Sequence, residues 1–464
     1  MMMMNFNTPL FLFLFLPAAF VLYTLAHGRG KLITGIAGSL VFFAWGNLQY
    51  VPWFVGLILL NYFAGKKIDQ LRGSRAGFWV LFASVFVNLA VLILFKIWTQ
   101  IPAPLGLSYV IFQLLAYLLE INKKAGNTAD DLLQFSFYIL LFPKIIVGPI
   151  ARFSALKAQI QNLSATPAQM ADGARRFMRG LAKKALLADT LARLVNPVFS
   201  LDTPNVPPAW AWLTLIAYAL QLYFDFSGYT DMALGLGQMM GLKFMENFNF
   251  PYISKNIGDF WRRWHISLSN WFRDFVFYPL ERRRLKFFGQ QINVLIVFLL
   301  TGLWHGFRAH FMVWGLLHGA ALIFEATALG RKLKQTWAPV QHIYALFVIL
   351  LGWVFFRSPS LSYAFDFLER LAGNFNGLKA LPFSQTAPYP FLEPTIVMAI
   401  VIGVIFSLPV AQWVDRALAP YRAKSKAFTL AAQFGYDLAL LFLMAAAVAA
   451  AVSANFMPGI YTNF

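Results

Sequence analysis

Twelve apolar stretches recur along the chain, at residues 9–26, 32–47, 51–65, 78–98, 104–121, 131–150, 209–226, 290–304, 311–329, 341–356, 395–413 and 428–452. A segment of this kind can rest in hydrocarbon only if its backbone N–H and C=O groups are satisfied internally, which leaves helices as the simplest solution. Of 464 residues, 59% are hydrophobic and 12% charged, and the mean hydropathy is +0.62. That is too little polar surface for a water-soluble globule of this size. The expected fold class is all-α, a polytopic membrane protein. Several stretches fall short of the roughly 20 residues of a full crossing, so some are expected to be re-entrant or buried in protein. The first stretch is long, has no basic region before it and is followed by others, and reads as a retained helix rather than a signal peptide.

The chain carries 38 Lys and Arg against 19 Asp and Glu, a net charge of +19. In a soluble protein this excess would suggest nucleic acid. Here the basic residues cluster between apolar stretches, the positive-inside pattern, which suits membrane lipid and a cytoplasmic anionic substrate and argues for no nucleic acid. Arg29 and Lys31 follow the first stretch and Lys66, Lys67, Arg72 and Arg75 the third, whereas the link from Gly46 to Gln49 is uncharged, so the N-terminus is expected outside. Cysteine is absent, which excludes disulfides, Cys-ligated metals and a thioester-forming nucleophile. The link from Asp202 to Pro208 and the loop carrying Pro382, Pro388, Pro390 and Pro394 are too short for domains, and no internal repeat is present. A single membrane domain over residues 1–464 is the simplest expectation.

Three segments depart from plain hydrophobicity. Between Arg152 and Arg193, the residues Arg175, Arg176, Arg179, Lys183, Lys184 and Arg193 alternate with Phe177, Met178, Leu181, Leu186 and Leu187 at helical spacing, as in an amphipathic helix lying on the membrane. From Gln221 to Asp231, a run containing Tyr223 and Asp225 leads into Gly235, Gly237 and Gly241, small residues that let membrane helices approach closely. Asp225 and Asp231 need partners at such depth, and structural pairing with a neighbouring Arg or His is favoured over direct catalysis. From Asp259 to Arg284, a helix would place Trp261, Trp264, Leu268, Phe272 and Phe275 on one face, with Arg262, Ser269 and Arg273 on its flank and His265 at the boundary. Such a helix either lies in the interface as an aromatic belt or turns His265 into a cavity whose mouth carries Arg262, Arg263, Arg273, Arg282, Arg283, Arg284 and Lys286, able to hold phosphates.

His305, in Thr301-Gly302-Leu303-Trp304-His305-Gly306, ends an apolar stretch. An ionisable side chain in that setting marks a functional site by default, the alternative being an imidazole hydrogen-bonded between packed helices. His265, His305 and His318 have no recognised metal-ligand spacing, so no metal is expected. His27, His310 and His342 read as surface or interfacial residues, with the odd context of His310 leaving a place in a cavity open.

The runs LFPKIIVGPIARF from Leu141, QLYFDFSGYTDMALGLG from Gln221, FWRRWHISLSNWFRDFVFYPL from Phe260, TGLWHG from Thr301, WGLLHG from Trp314 and GWVFFR from Gly352 resemble the membrane-bound O-acyltransferase (MBOAT) family, in its bacterial branch of polysaccharide acetyltransferases and D-alanyl exporters. The resemblance implies about a dozen transmembrane, re-entrant and interfacial helices around a central passage. It implies His305 as catalytic, His265 as a second active-site residue and His318 as a third recurring position; Asp225, Tyr223 and Trp304 are further candidates. Phe307-Arg308-Ala309-His310 stands where small residues and a Trp usually follow in that family, a departure that bears on the acceptor more than on the chemistry.

On this reading acetyl-CoA is a donor substrate rather than a bound cofactor. His305 is the general base, and His265 positions the thioester or stabilises its oxyanion. Arg262, Arg263 and Arg273, with Trp261 and Ser269, hold the donor. The acetyl group passes through the cytoplasmic (inner) membrane towards a periplasmic partner or acceptor protein and finally a polysaccharide, peptidoglycan or an exopolysaccharide. A D-alanyl exporter fed by a carrier-protein thioester, and a transporter or flippase with proton-relaying histidines, are the alternatives.

Overall fold

The computed structural model describes residues 4–46, 48–97, 103–123, 128–282, 289–374 and 392–453. Its described residues form helices and turns with no strand, as the apolar stretches require. Five helices among them are long and apolar enough to cross a bilayer: Leu48–Gln70, Arg75–Ile97, Ala309–Ala326, Ala338–Arg357 and Lys426–Ser453. A sixth crossing arises if Pro394–Phe406 and Val410–Lys424, bent by 60°, make one span. The stretch expected as one span at 395–413 is therefore broken, at Ser407–Pro409, where the proline cannot extend a helix ladder. The stretch at 131–150 is likewise not one helix. Leu132–Leu140 ends at Leu141, and a single turn, Phe142–Ile145, restarts with Pro143 in its first positions.

The chain's contacts divide it into two units, one of Met1–Ala182, Phe226–Glu246 and Leu440–Phe464, the other of Lys183–Asp225 and Asn247–Ala439. In the first, a phenylalanine cluster of Phe6, Phe11, Phe15, Phe42 and Phe142 makes its core, with ring centroids 5.0 to 6.2 Å apart. The helices Val51–Gln70 and Arg75–Ile97 are joined by a reciprocal amide pair. The Asn61 amide donates to Asn88 Oδ1 at 3.2 Å, and that of Asn88 to Asn61 Oδ1 at 2.8 Å, both residues wholly buried. An interhelical bond of this kind is favoured because the amides have no water to turn to.

The basic segment expected to lie on the membrane packs one face into protein and leaves Arg179 and Arg193 exposed. It forms Phe153–Gln161 and, from Pro167, one helical rod to Phe199 with a π-helical insert at Lys183–Ala188. Gly173 and Gly180 meet Gly235 and Gly228 of the helix Pro208–Met239, and a Cβ at Gly180 would stand 2.5 Å from the Gly228 carbonyl oxygen and 2.7 Å from the Met232 nitrogen. Of the glycines read as helix-contact positions, Gly235 is used for that purpose, whereas Gly237 meets the Phe244 ring and Gly241 the Ser164 backbone. Alongside them Arg176 donates to Asp231 at 2.9 and 3.0 Å and to Glu246 at 2.7 Å. Asp231 has the structural ion pair expected of it, and its two carboxylate neighbours raise the Arg176 pKa above its ordinary value despite burial.

In the second unit Lys184 is buried, with Nζ 2.9 Å from Asp225 Oδ1 and 2.5 Å from Asp189 Oδ1. Burial lifts the Asp189 carboxyl to about 6 against the pull of Lys184. The helices Gly289–His305 and Ala309–Ala326 form a close hairpin, since a Cβ at Gly302 would stand 2.4 Å from the Phe311 carbonyl oxygen and one at Gly315 2.2 Å from that of Phe298. Gly180→Leu should overpack its helix contact and cost about 1–3 kcal/mol. A lower melting temperature in detergent is expected, and an unchanged one would contradict the packing.

Candidate active site

The segment expected as one aromatic and arginine-rich helix is broken at the histidine. Ile257–Arg263 ends, Trp264 is extended with φ −106° and ψ 128°, and His265 adopts the left-handed conformation with φ 43° and ψ 53° before Ile266–Phe272 begins. Trp261 and Trp264 therefore do not share a helical face with Leu268 and Phe272, and the single stripe is corrected. Asn247 satisfies the backbone that the break frees, while Glu325 holds the start of the preceding helix. Asn247 accepts the Ile266 N–H with its backbone carbonyl at 3.0 Å and the Ser267 N–H with its side chain at 3.1 Å. The Glu325 carboxylate accepts the N–H groups of Ile257 and Gly258, at the positive end of the first short helix. A left-handed non-glycine residue costs on the order of 1–2 kcal/mol, so the packing holds His265 in place.

The break turns His265, 1% exposed, towards the end of the helix Gly289–His305. Its ring centroid lies 6.1 Å from that of Trp304, and the Trp304 ring 4.5 Å from that of His305. His305, 5% exposed, also meets Trp314 edge-on at 5.0 Å and Phe356 at 4.8 Å. His318 lies beyond Trp314, ring to ring at 5.4 Å, with Trp261 at 5.3 Å. Neither nitrogen of His318 has a hydrogen-bond partner among the described residues, and Nε2 faces Gly352, where a Cβ would come within 2.8 Å. The glycine of GWVFFR is thus the residue that leaves room for the third histidine.

A cavity of about 220 Å³ runs beside Ile266–Phe272. Trp261, Ser269, Arg273, Phe298 and Thr301 line it, and Thr301 lies one helical turn before His305. Nε1 of Trp261 is a buried donor with no partner among the described residues. Of the five residues expected to hold a donor, Trp261, Ser269 and Arg273 are gathered here, Arg273 being itself paired with Asp274 at 2.8 Å. Arg262 and Arg263 are turned to Asp259, at 3.3 and 3.0 Å, and Arg263 also donates to the Asn249 carbonyl at 3.1 Å. Arg282 is exposed, while Arg283, Arg284 and Lys286 lie outside the described residues. Tyr223 packs on Tyr252, Phe248 and Trp264 at 5.6 to 6.5 Å, and Asp225 is held by Lys184.

The sequence reading missed Asn247 and Glu325, whose signal is a polar residue isolated among aromatics in one case and an acid ending an apolar stretch in the other. It read His310 as surface or interfacial with a place in a cavity left open, and the side chain is buried, 3% exposed. The first turn of Ala309–Ala326 folds it back onto the end of the helix Ala338–Arg357.

A family model described as MBOAT, the membrane-bound O-acyltransferase family, matches residues 43–361. The chain belongs to that family. It is 38% identical over 385 residues to a probable alginate O-acetylase of Pseudomonas putida, covering 78% of this chain and 79% of that protein. A peptidoglycan O-acetyltransferase of Helicobacter pylori is 33% identical over 435 residues, with 82% of each chain covered. A teichoic acid D-alanyltransferase of Bacillus subtilis is 30% identical over 308 residues, 61% of this chain and 76% of that one. This MBOAT protein is therefore a multi-pass membrane O-acyltransferase.

Burial pushes the His265 imidazole down to about 3 from its ordinary value of 6.5. Between those pH values the unfolded chain binds a proton that the folded chain does not, so the neutral side chain's contribution is full above pH 6.5 and is lost as the pH falls towards 3. His265→Gln removes this linkage. The variant's melting temperature should fall less steeply than that of the parent between pH 6.5 and about 4, and parallel curves would contradict a buried neutral His265.

Proposed function

We propose that this enzyme takes an acetyl group from cytoplasmic acetyl-CoA and passes it across the bacterial inner membrane for O-acetylation of an extracytoplasmic polysaccharide, through a periplasmic partner. The observation that carries the reading is the continuity of the site. The rings of His265, Trp304 and His305 meet edge-on in sequence, and the cavity lined by Trp261, Ser269 and Arg273 reaches Thr301, one turn from His305. An apolar slot with an arginine and an indole N–H along it suits the amide-containing arm of coenzyme A, and Arg273 suits a phosphate. The relatives named for alginate and peptidoglycan acetylation favour a polysaccharide as the final acceptor.

A thioester needs no further activation, so the chain must supply a base, an oxyanion donor and alignment. His305 takes the proton of the incoming hydroxyl as its oxygen adds to the thioester carbonyl. The His265 ring, held beside Trp304, positions the thioester or donates to the oxyanion. Collapse of the tetrahedral adduct re-forms the carbonyl and expels the CoA thiolate, which takes up the proton. A central passage, narrow enough for the acetyl arm alone, keeps the cofactor on its own side. The D-alanyltransferase relatives favour a second reading, in which a carrier-protein thioester replaces CoA and the basic surface docks an acidic protein.

Release of free CoA from acetyl-CoA by the purified chain separates the two. His305→Ala should lower release by at least about 100-fold with the melting temperature kept, and Arg273→Ala should raise the KM for acetyl-CoA by about tenfold. No release by the folded parent chain would contradict CoA as donor, and an unchanged KM in Arg273→Ala would contradict the cavity as its site.

A further inference from the structure

His310 opens the helix Ala309–Ala326, directly after the exposed Phe307, Arg308 and Ala309. Its Nδ1 lies 3.0 Å from the carbonyl oxygen of Phe355. That carbonyl is in the last turn of the helix Ala338–Arg357, where C=O groups lack a partner within the helix. A carbonyl oxygen can only accept, so Nδ1 carries the proton, and in the neutral ring Nε2 is left with a lone pair. Nε2 is buried and has no hydrogen-bond partner among the described residues.

One nitrogen is thus fixed by the fold, and the other is an acceptor that nothing in the fold uses. A buried acceptor without a donor costs free energy unless a ligand or water supplies one. The group that satisfies it must be a hydrogen-bond donor. The surroundings relate it to the reaction centre, since the His310 ring lies 4.2 Å from the Phe311 ring and the latter 6.1 Å from that of His305. Phe356 contacts both His305, at 4.8 Å, and Phe311, at 5.4 Å. The two imidazoles therefore belong to one aromatic cluster at the turn between Gly289–His305 and Ala309–Ala326.

We propose that Nε2 of His310 accepts a hydrogen bond from a hydroxyl of the acyl acceptor, so that His310 holds the acceptor while His305 takes the reacting proton. This rests on the acyltransfer reading given above. It makes His310 a determinant of which hydroxyl compound is acylated, and it requires no change in the chemistry at His305.

The side chain's two nitrogens can be tested separately. His310→Asn keeps an amide N–H where Nδ1 stands and deletes Nε2, whereas His310→Gln offers a carbonyl oxygen near the place of Nε2. The full chain is purified and supplied with acetyl-CoA, using glycerol and a mannuronate oligosaccharide as acceptors, and the ratio of acetyl ester to free acetate is measured with the melting temperature. The expected result is a ratio at least tenfold lower in His310→Asn at an unchanged melting temperature, with partial recovery in His310→Gln. An unchanged ratio in His310→Asn would overturn the proposal, as would a loss seen equally in both variants and only alongside a fall in melting temperature. Ester formation by the parent with neither acceptor, despite CoA release that depends on His305, would also overturn it. Absence of CoA release from the parent is the distinct outcome that defeats the donor reading, and the proposal falls with it.

Discussion

The site depends on one interrupted helix. Continuous helix is the easy answer for an apolar chain, because it satisfies every backbone group without outside help. Between Arg263 and Ile266 this chain gives up that answer, and Asn247 supplies the acceptors that the helix start after the break then needs. Without the interruption His265 would be one more position on an interfacial stripe. With it, the imidazole is carried to Trp304, and through Trp304 to His305. Polar satisfaction of a few N–H groups is thereby converted into the alignment of two histidines that come from separate elements.

Buried charge is handled in the same economical manner. Lys184 stands between Asp225 and Asp189, and Arg176 between Asp231 and Glu246, so each acid of the Gln221–Asp231 run is tied to a base from the preceding helical rod. Removing one partner of such a pair leaves an uncompensated charge and costs more than the pair gains by forming. Asp225 is therefore occupied as a structural counter-ion in the second unit. The histidines are different: they are buried among aromatic rings rather than beside a carboxylate.

Much of this was legible in the sequence because hydrophobic length and residue size have one physical meaning in a membrane. Apolar stretches became helices, the glycines following Asp225 became close contacts, and Asp231 found an arginine. What was not legible depends on partners remote along the chain. Lys184 reads as one of a row of surface cations until Asp225, 41 positions later, is seen to hold it. The aromatic periodicity from Trp261 to Phe275 is the same whether or not a helix breaks within it, and no glycine or proline marks the left-handed turn at His265. The breaks at Leu141 and Ser407 adjoin prolines and carried a signal that hydropathy alone passes over. His310 read as surface or interfacial, with a cavity left open, because its carbonyl partner is 45 positions away.

The central claim is that a donor on one side of the membrane acylates an acceptor on the other at His305. Proteoliposomes with acetyl-labelled CoA in one compartment and a mannuronate acceptor in both test it most directly, with the protein's orientation fixed and any required periplasmic partner added. The account predicts that labelled acetyl reaches acceptor in the opposite compartment while CoA stays where it was, and that His305→Ala abolishes this. Label found only on acceptor in the donor's own compartment, or CoA itself crossing, would contradict it.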